Sequence, residues 1–184
     1  MTTKIIGIAG SLRAGSYNAA LLRAAVTLMP DDGVLEIGTI RGIPLYDGDV
    51  ESAEGVPPAV LTLRDQIASA DGVLIVSPEY NNSMPGVLKN AIDWLSRQSA
   101  DGTKTFGNRP FAVIGASPGG FGTILAQNAW LPVLRTLGTR QWFGGRLMVS
   151  RAGGVFNAAG ELTDEQIRTQ LKQFMQGFVG FTRG

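Results

Sequence analysis

The 184-residue chain has no cysteine and no histidine. Together these absences exclude disulfides, thiolate nucleophiles, Cys/His metal centres, a Ser-His-Asp triad and imidazole acid–base chemistry. Carboxylates, hydroxyls, backbone dipoles and a borrowed cofactor are what remain for chemistry. A charge bias is also missing: 16 Lys and Arg against 15 Asp and Glu leave a net charge of +1, and no stretch gathers the basic residues into a run. Bulk attraction to nucleic acid or to an acidic membrane surface is therefore not expected. No apolar run approaches the roughly 20 residues that span a bilayer. The first residues pass at once into an apolar strand pattern without the h-region of a signal peptide, so a cytoplasmic protein is expected. Neither a GxxxxGK[ST] loop nor a GxGxxG turn is found, which removes the main support for nucleotide triphosphate hydrolysis and for an NAD-type pyrophosphate site at the first turn.

What is present is apolar material for one sizeable core: 44% of residues are hydrophobic, and a single domain over 1–184 is expected. Lys4–Ala9, Val34–Ile40, Gly72–Ser77 and Pro110–Ala116 are nearly continuous apolar runs, the pattern of strands buried on both faces, and Arg146–Ser150 is a weaker fifth. Helical patterns lie between them. The first starts near Ser16 or Asn18, with Leu21, Ala25 and Leu28 on one side, and the second follows Pro57 and Pro58 with Val60, Leu63 and Ile67. In the third, Ser83 is the expected cap, Pro85 sits in the first turn, Val87, Ala91 and Leu95 line a face, and Lys89 and Asp93 form a surface pair. A fourth pattern, Thr123–Leu137, carries Pro132, which is expected to kink or break it. Thr163 to Gln166 form a capping-box pattern ahead of a stripe of Ile167, Leu171, Phe174 and Phe178. Trp94, Trp130 and Trp142 are read as core packing, with an interface as the alternative.

Alternating strands and helices with short connections specify a doubly wound α/β fold. Five strands in this length fit a flavodoxin-like parallel sheet of order 2-1-3-4-5. The Gly-, Pro- and Asp-rich segment from Gly42 to Pro58 is read as a mobile rim. In such a sheet, ligands bind beyond the carboxyl ends of the strands at the point where strand order reverses. Strands one, three and four lead there into GSLRAGSYN, SPEYNNSMPG and ASPGGFGT. The first loop offers Gly10 for a tight turn, hydroxyls from Ser11 and Ser16, the amide of Asn18, a helix N-terminus and Arg13, a combination suited to a phosphate monoester. The second brings Pro78, Glu79, Tyr80 and Asn81 to the rim, where backbone groups can meet the edge of a planar heterocycle and Tyr80 can cover a ring face. Glu79 is read there as a carboxylate that orders the loop, with an acid or base role as the alternative. The third, with Ser117, Gly119 and Gly120, allows a backbone to approach a flat ligand closely. A phosphate joined to a planar, hydrogen-bonding ring describes flavin mononucleotide.

GSLRAGSYN, SPEYNNSMPGVLKNAIDWLSR and GASPGGFG, in this order and spacing, resemble the NADPH-dependent FMN reductases, a family that includes bacterial quinone, chromate and azo-dye reductases. The resemblance runs from Lys4 to about the end of the chain and is loose over Arg135 to Arg151. It implies that Ser11, Arg13, Ser16 and Asn18 form the FMN phosphate cradle, with Leu12 contributing backbone. It also implies that Pro78, Glu79, Tyr80 and Asn81 hold the isoalloxazine edge, with Ser117, Gly119 and Gly120 on its other side. The implied activity is hydride transfer from NADPH or NADH through FMN to a quinone, azo compound, metal oxyanion or free flavin, in a ping-pong cycle without a catalytic side chain. A homodimer or homotetramer is implied by the same analogy. The alternative is a flavodoxin-type electron carrier or a flavin-dependent redox-sensing protein, although carriers of that type are strongly acidic and this chain is nearly neutral.

Overall fold

A computed structural model describes residues 2–97 and 105–184. The expected single domain spans 1–184, so Met1 and residues 98–104 lie outside the described residues. Four parallel strands form the body of the sheet: β1 (Thr3–Ala9), β2 (Gly33–Gly38), β3 (Gly72–Val76) and β4 (Pro110–Ala116). The fifth position is shared by β5 (Arg140–Gln141) and β6 (Met148–Val149), both parallel to β4. The order is β2-β1-β3-β4-β5, with β6 also on β4, which is the flavodoxin-like arrangement.

Alternation along each strand divides the core. Ile5, Leu74, Val76, Ala112 and Ile114 face a cluster with α1 (Tyr17–Thr27) and α6 (Glu165–Thr182). Ile6, Ile8, Val73, Ile75 and Phe111 face the opposite cluster, with α3 (Pro58–Ala68), α4 (Gly86–Leu95) and α5 (Ile124–Thr136). Strands covered on both faces must be apolar at every position, hence the continuous runs. β2 departs from this expectation because it is an edge strand: Val34 and Ile37 are exposed.

Several other expectations need correction. The weak fifth strand at Arg146–Ser150 is only the second half of that position, and β5 lay in a stretch too short and polar to read as a strand. Pro132 does not break α5. Pro132 and Asn128, whose carbonyl loses its partner, both lie on the exposed side, where water can satisfy it. Pro85 is the N-cap of α4 and Ser83 makes no cap; the buried face is Leu88, Ala91, Ile92 and Leu95, with Val87 exposed. The cap of α6 is Asp164, whose side chain accepts from Ile167 N at 2.9 Å. The segment 42–58 holds a seven-residue helix, α2 (Gly48–Glu54), capped by Asp47. Asn90 and Trp94 of α4 both donate to the Pro44 carbonyl, at 2.7 and 3.0 Å, and fix the start of this segment. Trp94 and Trp130 are fully buried; Trp142 packs edge-on to Phe174 and tilted against Phe178.

Candidate functional site

The carboxyl ends of β1, β3 and β4 bring the three loops to one sheet edge. Three ties between them use residues that the sequence marks as ligand contacts. Asn18, buried in the first turn of α1, donates to the Ala116 carbonyl at 2.8 Å and accepts from the Ala116 N–H at 2.9 Å, clipping the first loop to the end of β4. The Tyr80 hydroxyl donates to Ser11 Oγ at 3.3 Å, linking the second loop to the first. Glu79 Oε2 accepts from the backbone N–H of Leu125 at 2.8 Å and of Ala126 at 3.0 Å. Thr123, the residue at the cap position of α5, makes no side-chain cap bond, so Glu79 caps that helix from another loop and joins the second loop to the third. A carboxylate suits the place, because two orphan N–H groups and the positive end of the helix dipole converge there.

Local conformation is set residue by residue. Ser16 caps α1 by accepting from Ala19 N. Asn81 and Asn82 have φ of 50° and 62°, and Tyr80 and Ser83 exchange both backbone hydrogen bonds across them. This is a two-residue turn with both central positions left-handed, which asparagine tolerates better than most side chains. Ser77, buried at the base of the loop, accepts from the Trp130 indole at 3.0 Å. Gly115 is required by packing: a Cβ there would collide with the Ser77 carbonyl and the Thr123 side chain.

These ties leave a frame with open backbone donors. Among the described residues, the N–H groups of Leu12, Ala14, Gly15, Tyr17 and Asn18 have no partner in the protein, and they surround the N-terminus of α1. That set fits a phosphate monoester. Arg13 is exposed, with its guanidinium 5.7 Å from the Tyr17 ring, so it flanks this cluster as a cation. On the third loop a Cβ at Gly120 would meet nothing within 4 Å, which leaves its face open to a flat molecule. Ser117 is buried and donates its N–H to the Val149 carbonyl, while Gly119 accepts from Arg151 N. Pro78 is buried beneath the rim and Leu12 is exposed at its crest.

Two residues of this region escape the sequence reading. Arg41, just beyond β2, reaches back to donate from Nη2 to the Leu12 carbonyl at 2.8 Å; its position after a strand of the same sheet is the signal that could have found it. Arg151 adopts a left-handed conformation with φ 47° while its N–H holds the third loop, a long-range arrangement with no local signature. Among the described residues, no group of three or more acidic, His or Cys side chains is placed to hold a metal, and no helix is long and apolar enough to cross a membrane.

Comparison with known proteins identifies the family. The family described as NADPH-dependent FMN reductase matches residues 3–154. An NAD(P)H-dependent FMN reductase of Pseudomonas aeruginosa is 46% identical over 180 residues, 98% of this chain and 95% of the relative. A 2-hydroxy-1,4-benzoquinone reductase of a Burkholderia species is 38% identical over 183 residues, covering 100% of this chain and 98% of that protein. Among solved structures, a flavoenzyme NAD(P)H:(acceptor) oxidoreductase from Paracoccus denitrificans superposes with a TM-score of 0.86 at 32% identity, covering 99% of this chain and 98% of that one.

Proposed function

The chain belongs to the NADPH-dependent FMN reductase family, and from that premise we propose that it uses its three-loop frame to reduce quinones through bound FMN in a ping-pong cycle. It is an NAD(P)H-dependent FMN oxidoreductase; the acceptor class, the kinetic order and the residue roles are what is proposed. The observation that carries the reading is the cluster of unpartnered N–H groups around the N-terminus of α1, tied to the second and third loops by Asn18, Tyr80 and Glu79.

FMN, when bound, would supply the redox chemistry, two-electron transfer from NAD(P)H to an acceptor. The chain's residues hold and orient. The backbone of Leu12 to Asn18, with the Ser11 and Ser16 hydroxyls and Arg13, receives the phosphate. Pro78, Glu79, Tyr80 and Asn81 would border one edge of the ring and Ser117, Gly119 and Gly120 the other. Reduction of a quinone to a hydroquinone uses the hydride of NAD(P)H and one further proton; with no histidine or cysteine in the chain, that one proton would come from solvent. A frame that leaves one face of the site open would admit nicotinamide and quinone in turn, the basis of the proposed ping-pong order. Quinone as acceptor is supported by the 2-hydroxy-1,4-benzoquinone reductase relative. A homo-oligomer in the cytoplasm completes the proposal.

The test is a titration of apoprotein with FMN, followed by anaerobic NADPH and then a benzoquinone. Quenching of flavin emission at micromolar protein, bleaching by NADPH and recovery of colour on adding quinone are expected, with parallel lines in double-reciprocal plots. A native circular dichroism spectrum without FMN binding would overturn the site. Binding without bleaching would overturn the reductase cycle and favour a carrier.

A further inference from the structure

We propose that Arg151 is the electrostatic partner of the reduced flavin, holding a positive charge at the ring edge that becomes anionic when a hydride is taken up. Arg151 has this role only if the chain binds FMN as proposed above, and it adds a residue that none of the three loops contains.

The backbone sets Arg151 apart. Among the described residues nine have a positive φ: five are glycines, three are asparagines and the ninth is Arg151, at 47°. A long side chain carries a steric cost in this region that glycine does not. No contact of the side chain offsets it. The residue is exposed, and among the described residues its guanidinium has no hydrogen-bond, ion-pair or aromatic partner. Strain that no local contact offsets, at a ligand-facing edge, points to a function.

The sheet supplies that edge. β6 runs parallel to β4 at Gly115 and Ala116, so Arg151, two residues past the end of β6, emerges at the same carboxyl edge as the three loops. Its N–H donates to the Gly119 carbonyl at 2.9 Å, and that of Ala152 donates to the Ser117 carbonyl at 3.0 Å. Both bonds fix Arg151 against the third loop, while the N–H groups of Gly119 and Gly120 have no partner among the described residues.

The covalent structure of FMN selects the part of the ring that meets this loop. Its phosphate-bearing chain leaves N10 on the same side of the tricycle as N1 and the C2 carbonyl. Asn18 clips the third loop to the phosphate cradle, so the loop beside the tail meets the N1–C2 edge, where free N–H groups suit a carbonyl oxygen. In reduction the C4–H bond of the dihydronicotinamide breaks and its hydrogen and electron pair form an N–H bond at N5. A pair of ring electrons then moves onto N1 and the C2 oxygen; the nicotinamide leaves as a cation and the ring keeps one negative charge. A guanidinium at this edge favours the charged reduced ring over the neutral oxidised one.

The midpoint potential of bound FMN, measured anaerobically at neutral pH against a reference dye, tests this with Arg151→Gly and Arg151→Lys. Glycine keeps the left-handed turn and the N–H to Gly119 while removing the charge, so thermal stability is not lowered. Arg151→Gly is expected to weaken binding of reduced FMN about tenfold relative to oxidised FMN, a fall of about 30 mV for a two-electron couple. Its affinity for oxidised FMN should change by less than about threefold. Arg151→Lys restores the charge and should return the ratio of the two affinities to within about threefold of wild type. An unchanged potential in Arg151→Gly overturns the proposal, as does an equal fall in Arg151→Lys. A wild type that binds no FMN sinks the functional reading and this proposal together. A wild type that binds FMN and bleaches with NADPH, with both variants matching its potential, sinks the proposal alone.

Discussion

Glu79 holds two N–H groups at the start of α5 from a loop that begins at the end of β3, so its replacement acts on two loops at once. Glu79→Ala removes both acceptors and should lower stability by about 1–2 kcal/mol, the cost of losing a helix cap. It should also weaken FMN binding several-fold, because the second and third loops lose their tie. Glu79→Gln keeps an oxygen that can accept and should restore most of both. Thermal unfolding and FMN titration of the two variants check this; equal losses in Ala and Gln would show that the charge, not the hydrogen bonds, does the holding. Arg41 is the contrasting case. It is exposed and hydrogen-bonds the first loop at the Leu12 carbonyl, so Arg41→Ala should change stability by less than ~0.5 kcal/mol. The same variant should still lower FMN affinity by up to about tenfold, the worth of one charge-assisted bond that shapes the loop. An unchanged dissociation constant would place Arg41 outside the site. The sequence made the rim residues visible by type and position but left their partners hidden. Asn18 and Ala116 are 98 positions apart, and nothing local distinguishes an amide aimed at a ligand from one aimed at a backbone.

Elements were legible where pattern and environment agree. β1, β3 and β4 are apolar throughout because helices cover both faces, and that run is its own signature. The fifth strand was only half legible, since two pairs of residues make too short a period to recognise and β4 decides where they attach. The helix α2 was hidden for a different reason: none of its residues is buried, so it has no apolar stripe, and side chains hold it to the end of α4. Glu51 accepts from Arg97 Nε at 3.0 and 2.8 Å and from the Tyr46 hydroxyl at 2.9 Å. The Arg97 hydrogen bonds, more than that of Tyr46, hold the Glu51 carboxyl below its ordinary pKa. Its bond to Glu51, with a smaller effect of burial, raises that of Tyr46. The signs fix the pH window. A carboxyl with a lowered folded pKa contributes above its ordinary range and loses that contribution as pH falls through the folded value; a phenol with a raised pKa contributes below its ordinary value and loses it as pH rises through the folded one. Anchoring of 42–57 should therefore be constant from about pH 5 to 9.5 and fail at either end. Limited proteolysis should cut this segment faster at pH 3.5 than at pH 6, and Glu51→Gln should cut faster at pH 6 with the core unaffected. A cleavage rate unaffected by both pH and the substitution would show that this cluster does not anchor α2.

At the scale of the whole molecule, fold class and strand order could be argued from alternation and connection length, because right-handed crossovers leave few ways to arrange this many parallel strands. The chain's other whole-molecule property comes from what it lacks. With no histidine and no cysteine, no side chain in either the folded or the unfolded state has an ordinary pKa between those of the carboxylates and those of tyrosine and lysine. Stability changes with pH only where the two states bind different numbers of protons. Between about pH 5.5 and 7, below the range of the terminal amine, that difference is close to zero. The apoprotein's unfolding midpoint should hence be flat across this interval at constant ionic strength, whereas a histidine-bearing fold of similar size shows a slope wherever an imidazole changes its surroundings on unfolding. Below the plateau the midpoint should fall, because Glu51 and any other carboxyl with a lowered folded pKa must then be protonated. Denaturant melts at half-unit intervals measure this directly. A slope inside the plateau would require a carboxyl displaced upward by burial, and a scan of single Asp→Asn and Glu→Gln variants would reveal it as the one that flattens the curve.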